Sequence, residues 1–527
     1  VLHRVIEERL QAAVSAILPD ADVSQVLVRP CPDPRFGDYQ SNALMGLAKQ
    51  RKLNPRKLAE EVSAKLDPRE LSARVEIAGA GFLNFRLLEP AIASAMMDAF
   101  RGGPLFCLPA FRPKTIVVDF SSPNVAKPMH VGHIRSTNLG DCLARVFRLL
   151  GHNVVTDNHI GDWGTQFGKL IIGWKTRLDK EALDRDPIGE MERLYRLIHQ
   201  ETESNPVALE AARQELVKLQ SGDEENLEIW KAMIALSKQQ FDTIYGRLGV
   251  TFDHTLGESF YNPQLKDVVR DLVAQGIAQV SEGATVVFFD EPALKDHPAI
   301  IQKSDGAANY ATTDVATLDY RVRTWAPDEI VYVTDGRQQL HFSQVFAVFK
   351  RWRPEAPVHL AHVWFGTILG PDGRPFRTRE GEVVKLGGLL DEAQQRAAAV
   401  VAEKHPEYDE ITRNEIARVI GIGSIKYADL LPNRQSDYLF DWDKMLALTG
   451  NTAPYLEYAY TRIRGIFRKS AEESGAFSAD ALPEGFSMTL SQPEELTLAK
   501  HLLKFGLAVE VVAEEYKPNY LCNYLYD

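Results

Sequence analysis

The chain has 527 residues, 45% apolar and 25% charged, with a formal net charge of −12. That length exceeds one ordinary core and predicts two to four domains, while no run of roughly 18 apolar residues is present, which excludes a spanning helix and a membrane partner. Four scattered cysteines, Cys31, Cys107, Cys142 and Cys522, form no C-x-x-C pair, which argues against a zinc or disulfide framework and for a reducing compartment, the cytoplasm.

Residues 1–108 read as a small α+β module. Helical patterns cover Val1–Leu18 and Ser41–Leu66. Leu83, Phe85 and Leu87 then alternate with Asn84 and Arg86 as a half-buried strand. The Pro-punctuated "PLFCLPAFRPK" is a linker. "TIVVDF" (115–120) is a buried strand. From Gly132 onward, Ile134, Leu139, Leu143, Val146, Phe147 and Leu150 share one helical face that Gly151 terminates. "HNVVTDNHIGDWG" supplies another strand, completing a βαβ unit with polar residues at the edge where open parallel sheets bind ligands. Residues 173–250 are a charged helical excursion. Further strands are expected at "GATVVFFD", "EIVYVTD" and "HLAHVWFGTIL", and from Leu389 the patterns are nearly all helical. "GIGSIK" (421–426) is a lone Gly-rich run with no Walker A string and receives no function.

The stretch "SSPNVAKPMHVGHIRSTNLGD" (121–141) sets His130 and His133 around Gly132 at the mouth of the helix. Three readings compete: two zinc ligands at i, i+3; satisfied helix-cap residues; or a phosphate site. In the last, Gly132 admits a flat base or ribose while the imidazoles meet phosphate oxygens over the helix N-terminus, with Lys127 adjacent. Farther on, "NYATTDVATLDYR" places Tyr310 and Asp314 on one helix face. Asp314 can receive a guanidinium through two parallel hydrogen bonds, and Gln338 can add a neutral acceptor. The plain alternative is a packed aromatic and a surface cap.

H-x-G-H in this position is similar to the HIGH motif of class I aminoacyl-tRNA synthetases. The longer strings "SSPNVAKPMHVGHIRST", "NHIGDWGTQFG", "KSDGAANYATTDVATLDYR", "VTDGRQQLHF" and "GNTAPYLEYAYTRIR" resemble the arginyl-tRNA synthetases in particular. "GDYQSNALMGLAK" and "GAGFLNFRL" resemble that family's N-terminal domain. The resemblance spans nearly the whole chain. It implies an α/β fold: a Rossmann-like parallel-sheet catalytic domain (109–388, with the insertion at 173–250), a small N-terminal α+β domain (1–108) touching tRNA, and an all-α anticodon-binding domain (389–527). Further helices are expected beyond Asp527.

The implied substrates are L-arginine, ATP with Mg²⁺ and tRNA(Arg), handled by a monomer without a prosthetic group or resident metal. The resemblance assigns His130, His133 and Lys127 to catalysis, and His130, Gly132, His133, Arg377 and Arg379 to ATP. It assigns Asp119, Ser122, Asn124, His133, His159, Tyr310, Asp314 and Gln338 to arginine. Where class I enzymes commonly carry KMSKS, this chain reads "GPDGRPFRTREGEVVKL", so a surface turn is the alternative for Arg377, Thr378 and Arg379. In "GNTAPYLEYAYTRIRGIFRK", Tyr455, Tyr458, Arg462, Arg464 and Arg468 are the tRNA-binding candidates. Leu456, Tyr460, Ile463 and Phe467 are expected to form a buried face. A pocket built on hydrogen bonds rejects analogues lacking them by roughly 10⁴–10⁵, so no editing domain is expected in the insertion. Two rivals remain at this point: a nucleotidyltransferase using H-x-G-H, and an inactive relative that only holds tRNA.

Overall fold

Leu2–Ile17 folds as helix α1 because Leu2, Ile6, Leu10, Ala13 and Val14 recur at helical spacing and are buried together. The computed structural model describes residues 2–68, 70–101, 106–377, 383–474 and 485–527. After α1 come strands β1 (Arg29–Pro30) and β2 (Tyr39–Ser41), helices α2 (Ala43–Arg51) and α3 (Pro55–Lys65), strands β3 (Ser72–Ala78) and β4 (Phe82–Leu87), and helix α4 (Glu89–Phe100). The single helical pattern expected over 41–66 is corrected: Ser41 ends a strand, and the helix breaks in two. Lys52 turns left-handed at φ 56°. Asn54 then caps α3 through Lys57 N–H, with Pro55 at its first position, where no amide is needed. The strands form an antiparallel sheet in the order β1-β2-β4-β3, closed by a core including Tyr39, Leu83 and Phe85.

Strand β5 (Thr115–Phe120) opens the larger architecture, followed by α5 (Val131–Leu149) and β6 (Asn153–Asp157). Gly151, at φ 78°, ends the α5 turn as expected. The charged excursion is five helices: α6 (Gln166–Arg177), α7 (Lys180–Arg185), α8 (Pro187–Ser204), α9 (Pro206–Ser221) and α10 (Glu224–Leu248). Phe167, Met191, Leu194 and Met233 are buried among them. Short helices α11 (Glu258–Tyr261) and α12 (Leu265–Ala274) precede strands β7 (Gln279–Ser281), β8 (Ala284–Val287) and β9 (Ala299–Gln302). These strands, the "GATVVFFD" run among them, form a separate antiparallel sheet. The chain then supplies α13 (Tyr310–Trp325), β10 (Glu329–Val333), α14 (Gln339–Trp352), β11 (His359–His362) and β12 (Ile368–Leu369). "HLAHVWFGTIL" is thus two strands, and only β11 joins the main sheet.

That sheet is wholly parallel in the order β11-β10-β5-β6. Tyr332 stands in register with Asp119, and Asp119 with Asp157. The remaining elements are α15 (Leu386–Lys404), α16 (Glu410–Leu430), β13 (Tyr438–Leu439), paired parallel with β12, and helices α17 (Trp442–Met445), α18 (Ala453–Ser474), α19 (Pro493–Leu502), α20 (Phe505–Glu515) and α21 (Asn519–Tyr526). The chain divides into two compact units, Val1–Pro109 with Thr461–Glu514 and Ala110–Tyr460 with Glu515–Asp527. Among the described residues no helix is long and apolar enough to cross a membrane.

Candidate active site at the switch point of the parallel sheet

The chain crosses from β5 to β6 on one side and from β10 to β11 on the other, so strand order reverses between β5 and β10. The carboxyl edge of such a switch point is where open parallel sheets take ligands. The backbone leaving β5 is strained there: Ser121, Ser122 and Ala126 have φ of 75°, 51° and 61°, a conformation that costs a non-glycine residue about 1–3 kcal/mol. Side chains hold each of them. The Ser121, Ser122 and Ala126 amides donate to Ser136 Oγ (2.8 Å), Asn158 Oδ1 (3.0 Å) and Ser237 Oγ (2.9 Å). Asn124 interlocks with the next motif, since a Cβ on Gly161 would lie 2.1 Å from Asn124 Oδ1. "SSPN" and "NHIGDWG" are therefore one packed unit.

His130 caps α5. Its Nδ1 accepts from Gly132 N–H at 3.1 Å, while its own N–H donates to His133 Nδ1 at 3.1 Å. The rings lie 4.0 Å apart. The cap reading and the ligand reading turn out to be compatible: each Nδ1 is used by the helix, which places the ring proton on Nε2. Burial, followed by the neighbouring His130, lowers the His133 pKa to about 3. Burial, then Arg337 and Lys127, lowers that of His130. Both rings are thus neutral Nε2–H donors at pH 7, and the positive charge beside them belongs to Lys127 and Arg337. Lys127 sits 5.3 Å over the Tyr195 ring, and Arg337 forks onto Asp335 at 2.8 and 2.9 Å. A Cβ on Gly132 would lie 2.9 Å from His130 Cε1, so the glycine also seats the ring.

Beyond β5, the buried Arg321 guanidinium bonds Asp119 at 2.6 Å and Asp157 at 2.8 Å, joining the two strands. Asp119 also accepts from Ser122 Oγ at 3.2 Å. Both its oxygens are therefore engaged inside the protein. His159 stacks obliquely on Tyr261, 5.4 Å between centroids, and its buried Nδ1 has no hydrogen-bond partner among the described residues. Asp314, one-fifth exposed on the first turns of α13, pairs with His341 Nε2 at 2.6 Å. Burial first, then Asp314 and Asp162, raises the Glu258 pKa to about 8. Glu258 thus feels the charges of Asp314 and Asp162, so a cation bound near it would favour its ionised form.

The other named residues are placed less closely. Tyr310 begins α13 and is 69% exposed. Gln338 is exposed at the end of the short helical turn Gly336–Gln338, leading into α14, which carries His341. Arg377, after β12, bridges to Val383, whereas Thr378 and Arg379 lie outside the described residues. Tyr455, Tyr458, Arg462, Arg464 and Arg468 all lie exposed on α18. The buried face expected on that helix is corrected: Tyr460, Ile463 and Phe467 are 64%, 54% and 36% exposed, and Leu456 is only half-buried. The apolar spacing is present, but no described element covers it there.

Three family models together match most of the chain. The model of "tRNA synthetases class I (R), catalytic domain" matches residues 107–442, the "Arginyl tRNA synthetase N terminal domain" 4–87, and the "DALR anticodon binding domain" 456–527. An arginine–tRNA ligase of Fusobacterium nucleatum is 43% identical over 531 residues, covering 100% of this chain and 91% of the relative. One of Proteus mirabilis is 43% identical over 533 residues, with the same coverage. The chain belongs to the arginyl-tRNA synthetases. The Thermus thermophilus arginyl-tRNA synthetase structure superposes with a TM-score of 0.82 at 26% identity, covering 100% of this chain and 90% of the other.

Within this candidate site of the arginyl-tRNA synthetase chain, sequence reasoning overlooked Glu258, His341, Arg321 and Arg337. Nothing local marks Glu258, whose surroundings come from Asp162 and Asp314, far away in the chain. Arg321 and His341 stood inside quoted motifs, and their partners became visible only when α13, α14 and the sheet were assembled.

Proposed function

We propose that the chain is an arginine–tRNA ligase that makes arginyl-adenylate and pyrophosphate from L-arginine and ATP, then esterifies the terminal adenosine of tRNA(Arg). In the first step the arginine carboxylate attacks the α-phosphorus and the bond to the pyrophosphate oxygen breaks. In the second, a ribose hydroxyl attacks the activated carbonyl and AMP leaves. No side chain forms a bond; the protein positions and stabilises charge. His130 and His133 offer Nε2–H donors to phosphate oxygens at the α5 N-terminus, Gly132 lies against the nucleoside, and Lys127, with Arg377 and Arg379, faces the developing charge. Mg²⁺ enters with ATP.

Asp314 with Glu258 takes the guanidinium, aided by Tyr310 and Gln338. Ser122, Asn124, His133 and His159 meet the amino-acid end, and Asp119 steadies Ser122. Residues 1–108 and 389–527 bind tRNA, the latter through Tyr455, Tyr458, Arg462, Arg464 and Arg468. The enzyme acts as a cytoplasmic monomer.

The observation that carries this reading is Asp314, partly exposed on α13 and paired with His341, whose charge acts with that of Asp162 on Glu258. Amino-acid-dependent ATP–pyrophosphate exchange, measured with and without tRNA(Arg), tests it. Arginine should support exchange with at least about 10⁴-fold preference over lysine. Asp314→Asn should raise the arginine KM about 10-fold or more while leaving the ATP KM unchanged. Nucleotide transfer that ignores arginine would favour the nucleotidyltransferase rival and overturn the reading.

A further inference from the structure

Arg135 lies on the second turn of α5, two residues after His133, and its side chain is only 1% exposed. Its Nε is 3.1 Å from Asp429 Oδ1 on α16. Its Nη1 donates to Gly366 O at 2.8 Å and to Ser436 O at 3.2 Å. Asn138, one turn on, donates to the second oxygen of Asp429 at 3.2 Å. The rings of Tyr438 and Phe365 flank the guanidinium at 5.1 and 5.7 Å. Its neighbour Ser136 faces the other way and donates to Val333 O at the end of β10, 2.6 Å away. The histidine helix is therefore tied to the sheet on one side and to α16 on the other.

Gly366 leads into β12, and beyond β12 Leu369 bridges Pro375 and Arg377 bridges Val383. Val131 N–H, at the start of the histidine helix, donates to Val384 O at 2.9 Å. One buried guanidinium thus contacts the residue that leads into β12 while sitting on the helix that bears both histidines. Burying a charge this fully costs more than its Coulomb attraction commonly returns, and apolar residues of similar volume would be as stable or more so. What these N–H bonds supply that apolar packing lacks is direction: Nη1 holds the Gly366 and Ser436 carbonyls at one spacing from the helix.

We infer that Arg135 is a positioning residue for the activation reaction, holding His130 and His133 at a set distance from residues 366–377 and 383–385 and making that distance depend on α16. The inference rests on the reading of this place as the ATP site.

Arginine-dependent pyrophosphate exchange by the full chain with tRNA, together with Tm, tests it in Arg135→Lys and in the double variant Arg135→Met/Asp429→Leu. The lysine keeps the charge but cannot reach both carbonyls. The double variant leaves neither charge unmatched, so it should still unfold cooperatively with a measurable Tm. In both, exchange at fixed ATP should fall about 10-fold or more through ATP KM or kcat, with the arginine KM nearly unchanged. A purely structural role predicts that exchange recovers along with Tm. Near-wild-type exchange in the double variant, or in a folded Arg135→Lys, overturns the inference. Wild-type exchange that ignores arginine would instead overturn the reading of the site, which keeps the two failures distinguishable.

Discussion

His133 shows how a side chain can serve the fold and the chemistry at once. Its Nδ1 closes the α5 cap, so burial is tolerated only for the neutral ring. Its folded pKa of about 3 lies below the ordinary 6.5. Between those values the unfolded chain binds the extra proton, so stability is complete above about pH 6.5 and is lost as pH falls toward 3. His133→Gln should therefore lose less stability than the wild type between about pH 7.5 and pH 5, measured by urea unfolding at each pH. Equal losses would mean that the ring takes up its proton over the same pH range folded and unfolded. The side chains of Asp314 and His133 were legible in the sequence as candidates because rare residue types stood in rigid local motifs. Glu258 was not, because its environment is assembled from Asp162 and Asp314, each distant in the chain.

At the scale of elements, α5 is the part on which the site depends. Gly140 lets it approach β5, since a Cβ there would fall 2.1 Å from Cγ of the buried Phe120. Gly140→Ala is expected to force helix and strand apart, costing about 1–3 kcal/mol by overpacking even though alanine favours helix. The denaturation midpoint in urea should fall accordingly, and arginine-dependent exchange should fall with it because His130 and His133 move with the helix. An unchanged midpoint would show that Phe120 yields without cost. The strand–helix–strand core was legible from periodicity. By contrast, the break in the 41–66 helix and the bend between β11 and β12 followed from Asn54-Pro55 and from the close approach of Gly366 to Ser436, 2.7 Å from a would-be Cβ. The first is local chemistry that periodicity overrode; the second is a tertiary contact.

For the whole molecule, the net charge of −12 is no obstacle to RNA, because binding follows local cations rather than the total. Arg464 and Arg468, exposed one helical turn apart on α18, offer such a strip. Replacing both with Gln should weaken tRNA(Arg) binding and reduce the slope of log affinity against log salt by about one for each phosphate no longer neutralised. A slope identical to wild type would remove these two arginines from the RNA interface. Tyr460, Ile463 and Phe467 beside them are exposed, so the apolar spacing that suggested a buried face indicates only that the helix is amphipathic.

Local pattern by itself determined the strand–helix–strand unit of β5, α5 and β6 and the family, because periodicity and motif spacing act over a few residues. Tertiary structure alone decided which carboxyl charges act on Glu258, which imidazole nitrogens remain for a ligand and what Arg135 holds. Burial and electrostatics depend on neighbours brought from hundreds of residues away, as Arg135 and Asp429 are, and no local spacing encodes them.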